Sequence, residues 1–261
     1  EADYYRSLLE SENVAFICGN SGVGKTTLAK FLITTLGKSK EVIFYCCTKH
    51  DTILSVITKL AQHVAESKDD EILQAVNRLY DIEKPNLVGL LDMMFVALSK
   101  QDCILCLCDL HLLITDRYFE GFCERLLDLA KDKFAKVLIT SRRRFSCFPE
   151  KYQEHELVGW TLSETEDFLR QTGLFVNETI SRQLWKLTSG YPSLVLITCS
   201  ILRSKSKKED FIRGIDTDEF LKEQSIEEKL AEYVWSAVDN NAKPVMQGIA
   251  IAHGWGVTNE A

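Results

Sequence analysis

Asn13-Val-Ala-Phe-Ile-Cys18 runs straight into Gly19-Asn20-Ser21-Gly22-Val23-Gly24-Lys25-Thr26, and then into Thr27-Leu-Ala-Lys-Phe-Leu32. The first segment is an apolar run of strand length. The last carries helical periodicity, and the eight residues between them match the pattern G-x-x-x-x-G-K-[ST] in full. Gly19, Gly22 and Gly24 permit backbone conformations closed to residues with a β-carbon, so successive amides can turn inward around an anion. Lys25 adds a positive charge suited to β- and γ-phosphates, and the Thr26 hydroxyl suits Mg²⁺. The helix beginning near Lys25 brings the partial positive charge of its N-terminus to the same point. The stretch predicts a nucleotide phosphate cradle, with residues 19–27 as the binding loop and Thr26 as a metal ligand.

Outward from that loop, apolar runs recur at Val14 to Cys18, Val42 to Cys47, Ile104 to Cys108 and Val137 to Thr140, and more weakly at His155 to Val158. Helical patterns lie between them at Lys25 to Leu36, Thr52 to Glu66, Glu71 to Leu79, Leu87 to Ser99 and Tyr118 to Lys131. This alternation predicts an α/β fold with a parallel sheet covered by helices on both faces. After Gly159 the strand signal stops. Helices are expected at Ser163 to Gln171, opened by a Ser-Glu-Thr-Glu capping box, at Thr179 to Thr188, at Pro192 to Leu202 and at Ile226 to Val238. The expected organisation is a nucleotide-binding domain over 1–159, a helical domain over 160–208, and a truncated winged-helix-like domain over 209–261. A polar linker, Arg203 to Asp210, separates the last two.

With 38 acidic against 31 basic residues, the formal charge is −7. That balance lacks the broad positive field of nonspecific nucleic-acid binding, so no direct nucleic-acid contact is expected. No apolar stretch reaches membrane-spanning length, and Glu1-Ala-Asp-Tyr-Tyr has no signal-peptide character. The chain does not open on Met, which points to a piece of a longer protein, with a cytoplasmic location expected. Nine cysteines include Cys103-Ile-Leu-Cys106-Leu-Cys108. Three thiols on one extended strand converge poorly on a tetrahedral ion and no second ligand pair completes a site, so buried, reduced thiols are the expected reading.

The third strand ends Leu107-Cys108-Asp109-Leu110-His111. P-loop ATPases place an acid at such a strand end for Mg²⁺, often followed by a second that orients the attacking water. Here one carboxylate stands alone.

The loop at 19–26, the Cys-Asp-Leu-His segment at 108–111, the strand Lys136-Val-Leu-Ile-Thr-Ser-Arg142 and the turn Gly190-Tyr191-Pro192 together resemble the motif series of STAND ATPases. That class includes apoptotic adaptors, plant NB-ARC resistance proteins and maltose-regulon-type activators, and it is similar to AAA+ ATPases in its core. The resemblance covers Asn13 to Leu202. It implies ATP and ADP as ligands with Mg²⁺, Arg142 near the γ-phosphate, and Gly190 and Pro192 placing a helical domain against the nucleotide. It implies a signalling switch that oligomerises when ATP-bound and drives an effector in defence, cell death or transcription, with effector and sensor domains outside this chain. Relatives commonly read Asp-Asp or Glu-Asp before Leu-His. Either Cys108 stands at the Mg²⁺-linked acid and Asp109 at the second, or Asp109 is the metal-linked acid and Leu110 takes the water-orienting place. In both registers one carboxylate is missing, so weak ATPase activity at most is expected, with Asp109 and Arg142 as its catalytic residues.

Two other functions stay open at this level. An AAA+ motor or loader would need an efficient acid pair, and a nucleotide-metabolising P-loop enzyme would need an acceptor site that the sequence does not display. His111 is read as a packing or capping residue, and Asp51 with Thr52 as the cap of the following helix. His253 lacks the Met-His-Asp context of the winged-helix histidine that helps lock ADP in relatives.

Overall fold

The computed structural model describes residues 1–66, 87–99, 102–131, 135–174 and 177–203. Among these, β1 (Val14–Cys18), β2 (Glu41–Cys46), β3 (Cys103–Cys108) and β4 (Lys136–Ser141) form one parallel sheet in the order β1-β4-β3-β2. β1 and β3 read as unbroken apolar runs because both of their faces are covered: every residue of each is buried. β2 instead mixes exposed and buried positions, as an edge strand does. The weak signal near His155 survives as a single parallel bridge between Cys18 and Glu156, on the far side of β1.

Side-chain alternation divides the sheet into two cores. Val14, Phe16, Leu105, Leu107, Val137 and Ile139 pack with residues of α3 (Ile53–Glu66), α4 (Leu87–Ser99) and α5 (Phe119–Lys131). The alternate set, among them Ala15, Ile17, Cys106, Leu138 and Thr140, is equally buried. It lies on the side of α1 (Ala2–Ser11) and α2 (Lys25–Leu36), which contact β1, β3 and β4. Periodicity alone did not announce α1. Its polar surface hides a two-residue anchor, Tyr5 and Leu9, one turn apart and both fully buried. Among the described residues no helix is long and apolar enough to cross a membrane.

The α3 cap is Thr52: its hydroxyl accepts from the Ser55 amide at 3.2 Å while the Ser55 hydroxyl accepts from the Thr52 amide at 2.9 Å. Asp51 stands one step outside, accepting from the Thr48 amide.

The chain divides into two compact units, the second beginning at Gly159. Within the second, α6 (Leu162–Gln171), α7 (Glu178–Thr188) and α8 (Pro192–Arg203) enclose a small core of Leu169, Leu184, Leu187, Val195, Cys199 and Leu202. The capping box of α6 sits two residues earlier than the sequence suggested. Thr161 accepts from the Glu164 amide and Glu164 accepts from the Thr161 amide, while Ser163 lies inside the first turn. The Ser-x-x-Glu and Thr-x-x-Glu patterns overlap here, and only the backbone shows which residue is the cap. The expected helices at Glu71 to Leu79 and Ile226 to Val238, most of the linker, His253 and the winged-helix-like segment fall outside the described residues.

Between α7 and α8, Ser189 and Gly190 both take positive φ, 49° and 69°. The Gly190 carbonyl accepts from the Trp160 amide at 2.8 Å. A β-carbon on Gly190 would lie 1.9 Å from the Trp160 carbonyl oxygen, so the residue is fixed by backbone contact as well as by its dihedral. Pro192 then opens α8, where a missing amide proton costs nothing.

Thr161→Ala should destabilise the chain by about 1 kcal/mol in chemical denaturation, and Ser163→Ala by much less. The reverse order would contradict the cap assignment.

Candidate functional site

Parallel strands end on one edge of a sheet, and β1, β4 and β3 are adjacent, so the segments following them are neighbours. The loop at 19–26 follows β1, Arg142 follows β4 and Asp109 follows β3. The expected site residues of the first unit therefore gather at one end of three strands. Gly190 and Pro192 belong to the turn of the second unit described above.

Gly19, Gly22 and Gly24 all take positive φ, 156°, 77° and 100°. At Gly19 the demand is also steric: a β-carbon would stand 2.5 Å from the Leu157 carbonyl oxygen. The loop is pinned by hydrogen bonds from the Gly19 amide to the Ser141 carbonyl (3.2 Å) and from the Leu157 amide to the Cys18 carbonyl (2.7 Å). Val23 turns its side chain into the protein, while Asn20 and Ser21 are exposed. In α2 the Leu28 amide bonds the Gly24 carbonyl at 2.9 Å. The amides of Lys25, Thr26 and Thr27 precede the helical ladder and form its donor end.

Lys25 is the unusual member. Its side chain is buried, at 6% exposure, and its ammonium donates to the Asn20 carbonyl at 2.7 Å. Among the described residues no carboxylate lies within ion-pair distance of it. Burial pulls its pKa below the ordinary lysine range, with Arg142 adding to the fall and Asp109 opposing it. A buried cation held by a neutral carbonyl is costly and suits an anion as its partner.

Asp109 leaves β3 in the left-handed region, φ 56° and ψ 38°. Its amide donates to the Thr140 hydroxyl at 3.0 Å, which ties the end of β3 to the end of β4. His111 lies 3.9 Å from the Asp109 carboxylate, and its Nδ1 accepts from the Arg142 amide at 3.4 Å. Burial holds the imidazole below its usual range, and the cations Arg142, Lys25 and Arg143 press the same way. His111 is thus a neutral brace for the loop that carries Arg142, whose own side chain is exposed.

Cys108, the last residue of β3, is fully buried. Its register partner on β2 is Cys46, and its sulfur lies 4.0 Å from that of Cys106. Hydrogen bonds from Cys106, then from Thr140 and Cys46, draw the Cys108 thiol below the ordinary range despite burial. Burial and Cys108 push Cys46 up to about 12. The sequence reading missed both Thr140 and Cys46 as neighbours of Asp109, because strand order, which joins them, is not written in any one motif. Among the described residues no three His, Cys, Asp or Glu side chains are grouped to hold a metal by themselves. A divalent ion here would draw on Thr26, Asp109 and the oxygens of a bound phosphate.

Residues 8–143 match the sequence model of the AAA domain family. No curated protein sequence matches this chain. The same fold occurs in a Signal Transduction ATPase with Numerous Domains (STAND) protein with a tetratricopeptide repeat sensor from Pyrococcus horikoshii. That likeness has a TM-score of 0.64 at 19% identity, covering 95% of this chain and 34% of the other. It occurs also in the Aeropyrum pernix ORC1 protein in complex with DNA (TM-score 0.53, 14% identity, 98% and 72% covered). AMPPCP-bound DnaA from Aquifex aeolicus is a third case (TM-score 0.50, 14% identity, 78% and 60% covered). At these identities the likeness is one of fold. The chain spans about a third of the length of the STAND protein.

The lowered pKa of Lys25 carries a sign. Its charged form is disfavoured in the folded state, so it costs stability at neutral pH, and the cost fades as pH rises through the folded pKa toward the unfolded value. Lys25→Met should therefore raise the nucleotide-free unfolding midpoint at pH 7, with the gain shrinking in alkaline buffer. A lowered midpoint would contradict a strained cation.

Proposed function

This chain belongs to the AAA domain family, and on that premise we propose that it is the nucleotide-controlled segment of a STAND-type signalling switch. It holds ADP at rest, exchanges it for ATP, hydrolyses ATP slowly and, when ATP-bound, associates with further copies to activate an effector outside this chain. The observation that carries this reading is the single carboxylate at the end of β3. Cys108 closes the strand, buried among thiols, and Asp109 follows alone. That arrangement favours the register with Cys108 at the metal-linked position. A thiol serves hard Mg²⁺ poorly, and one carboxylate cannot both bind the metal and orient water.

The roles follow from the donors available. Backbone amides of residues 19–27 would surround the phosphates, the Lys25 ammonium supplies charge, Thr26 would hold Mg²⁺, and in this register Asp109 is the one carboxylate left beside the ion, at the water-orienting place. The buried, uncompensated ammonium is what makes these residues fit a nucleotide. When bound, Mg²⁺ neutralises charge on the phosphate oxygens. Arg142 senses the terminal phosphate, its backbone position set by His111. In the second unit, the Gly190 turn is held stiff by its backbone contact with Trp160, and Pro192 opens the helix that follows.

The likeness in fold to DnaA and ORC1 favours a second reading, an AAA+ motor or loader. It requires fast turnover, which a lone acid does not supply.

Denaturing the purified chain without added nucleotide and identifying what is released separates the two. About one ADP per chain is expected of a resting switch with tight retention. An empty protein that turns over ATP quickly would favour the motor. Lys25→Ala should abolish nucleotide binding with the fold retained. Turnover should be slow and rise roughly tenfold or more in Cys108→Asp, checked for folding by circular dichroism. Rapid turnover that is lost in Asp109→Ala but unmoved by Cys108→Asp would reverse the register.

A further inference from the structure

Three thiols, those of Cys46, Cys106 and Cys108, occupy the α2 face of the sheet immediately before Asp109. Cys46 and Cys108 are paired across parallel strands. Paired residues on adjacent strands point to the same face with backbones about 4.8 Å apart, inside the 4.4 to 6.8 Å Cα separation that a disulfide spans. Cys46 is exposed at the sheet edge whereas Cys108 is enclosed. One thiol of the pair can meet a soluble oxidant and the other can only meet its neighbour. Cys106 and Cys108 are less suited, since both are buried and lie two residues apart on one extended strand.

We propose that Cys46 and Cys108 form a reversible disulfide that couples the thiol redox state to nucleotide loading. The coupling rests on the proposed nucleotide site; the bond does not. The oxidant is a low-molecular-weight disulfide such as oxidised glutathione. The Cys46 sulfur, giving up its proton to solvent, attacks one glutathione sulfur and releases a glutathione thiol. The Cys108 sulfur, giving up its own proton, then attacks the Cys46 sulfur of the mixed disulfide and releases the second glutathione thiol. Two protein thiols lose two electrons and two protons, and one glutathione disulfide becomes two thiols.

The bond reaches the site through Thr140. That hydroxyl accepts from the Asp109 amide and donates toward the Cys108 sulfur. Drawing the sulfur toward β2 removes the acceptor and loosens the tie that positions Asp109.

The test equilibrates the whole chain in glutathione redox buffers, alkylates the remaining thiols and maps disulfides by non-reducing peptide mass spectrometry. In parallel, binding of the fluorescent analogue mant-ADP with Mg²⁺ is measured. The expected result is a Cys46–Cys108 cross-link, reversed by dithiothreitol, with affinity at least about threefold weaker in the oxidised chain. Cys46→Ser should bind as the reduced chain does and ignore the redox buffer. A glutathione adduct resting on Cys46, or a bond only between Cys106 and Cys108 or between Cys123 and Cys147, would overturn the modification site. The expected bond with unchanged affinity would overturn the coupling. If the reduced chain binds no mant-ADP, the proposed function and the coupling fail together, and the peptide map still decides the bond.

Discussion

Parallel register is the constraint from which the rest follows. Val14 opposite Val137 and Leu105 opposite Val137 bring β1, β4 and β3 side by side, all running the same way. The glycine loop, Asp109 and Arg142 then each follow a strand's last residue, where strand ladders no longer claim the backbone amides. Because β4 is inserted between β1 and β3, Thr140 and Ser141 are placed to touch both neighbours: Ser141 accepts from Gly19 and Thr140 accepts from Asp109. Two hydrogen bonds from one strand end hold the glycine loop and the acid in fixed relation. Had β3 lain beside β1, no group would bridge them in this way.

The same edge concentrates an electrostatic debt. Lys25 is buried with Arg142 near it, Arg143 acts on His111 beside them, and Asp109 is the carboxylate that opposes these cations. His111 remains neutral in that field, which lets its ring nitrogen accept the Arg142 amide. A polyanion resolves the imbalance at a stroke. Burial of the Lys25 ammonium without a carboxylate at ion-pair distance, among the described residues, is the costly element of this edge.

How much of this was legible in the sequence depended on distance along the chain. The glycine loop, β1, α2 and α4 are local patterns, and their limits agree with the structure residue for residue at Val14 to Cys18, Lys25 to Leu36 and Leu87 to Ser99. The α6 cap was misplaced by two residues because two overlapping motifs compete within Thr161 to Glu166. α1 was passed over because Tyr5 and Leu9 make too sparse a stripe among Asp3, Arg6 and Glu10 to register as periodic. Strand order was not legible at all. The neighbours of Asp109 at Thr140, and of Cys108 at Cys46, come from residues 31 and 62 positions away. No motif links those pairs. Their adjacency is a property of how the sheet is wound, decided by helix packing on two faces rather than by local preference.

Gly19 also sets a mechanical connection. A β-carbon there would meet the Leu157 carbonyl, and the Leu157 amide bonds back to the Cys18 carbonyl, so the first residue of the glycine loop lies against the main chain near the end of the first unit with no room for a side chain of its own between them. The second unit begins two residues later, at Gly159. A flexible side chain would absorb a small displacement, but backbone in contact with backbone passes it on. The first residue of the glycine loop is therefore tied by main chain alone to the residues that lead into the second unit.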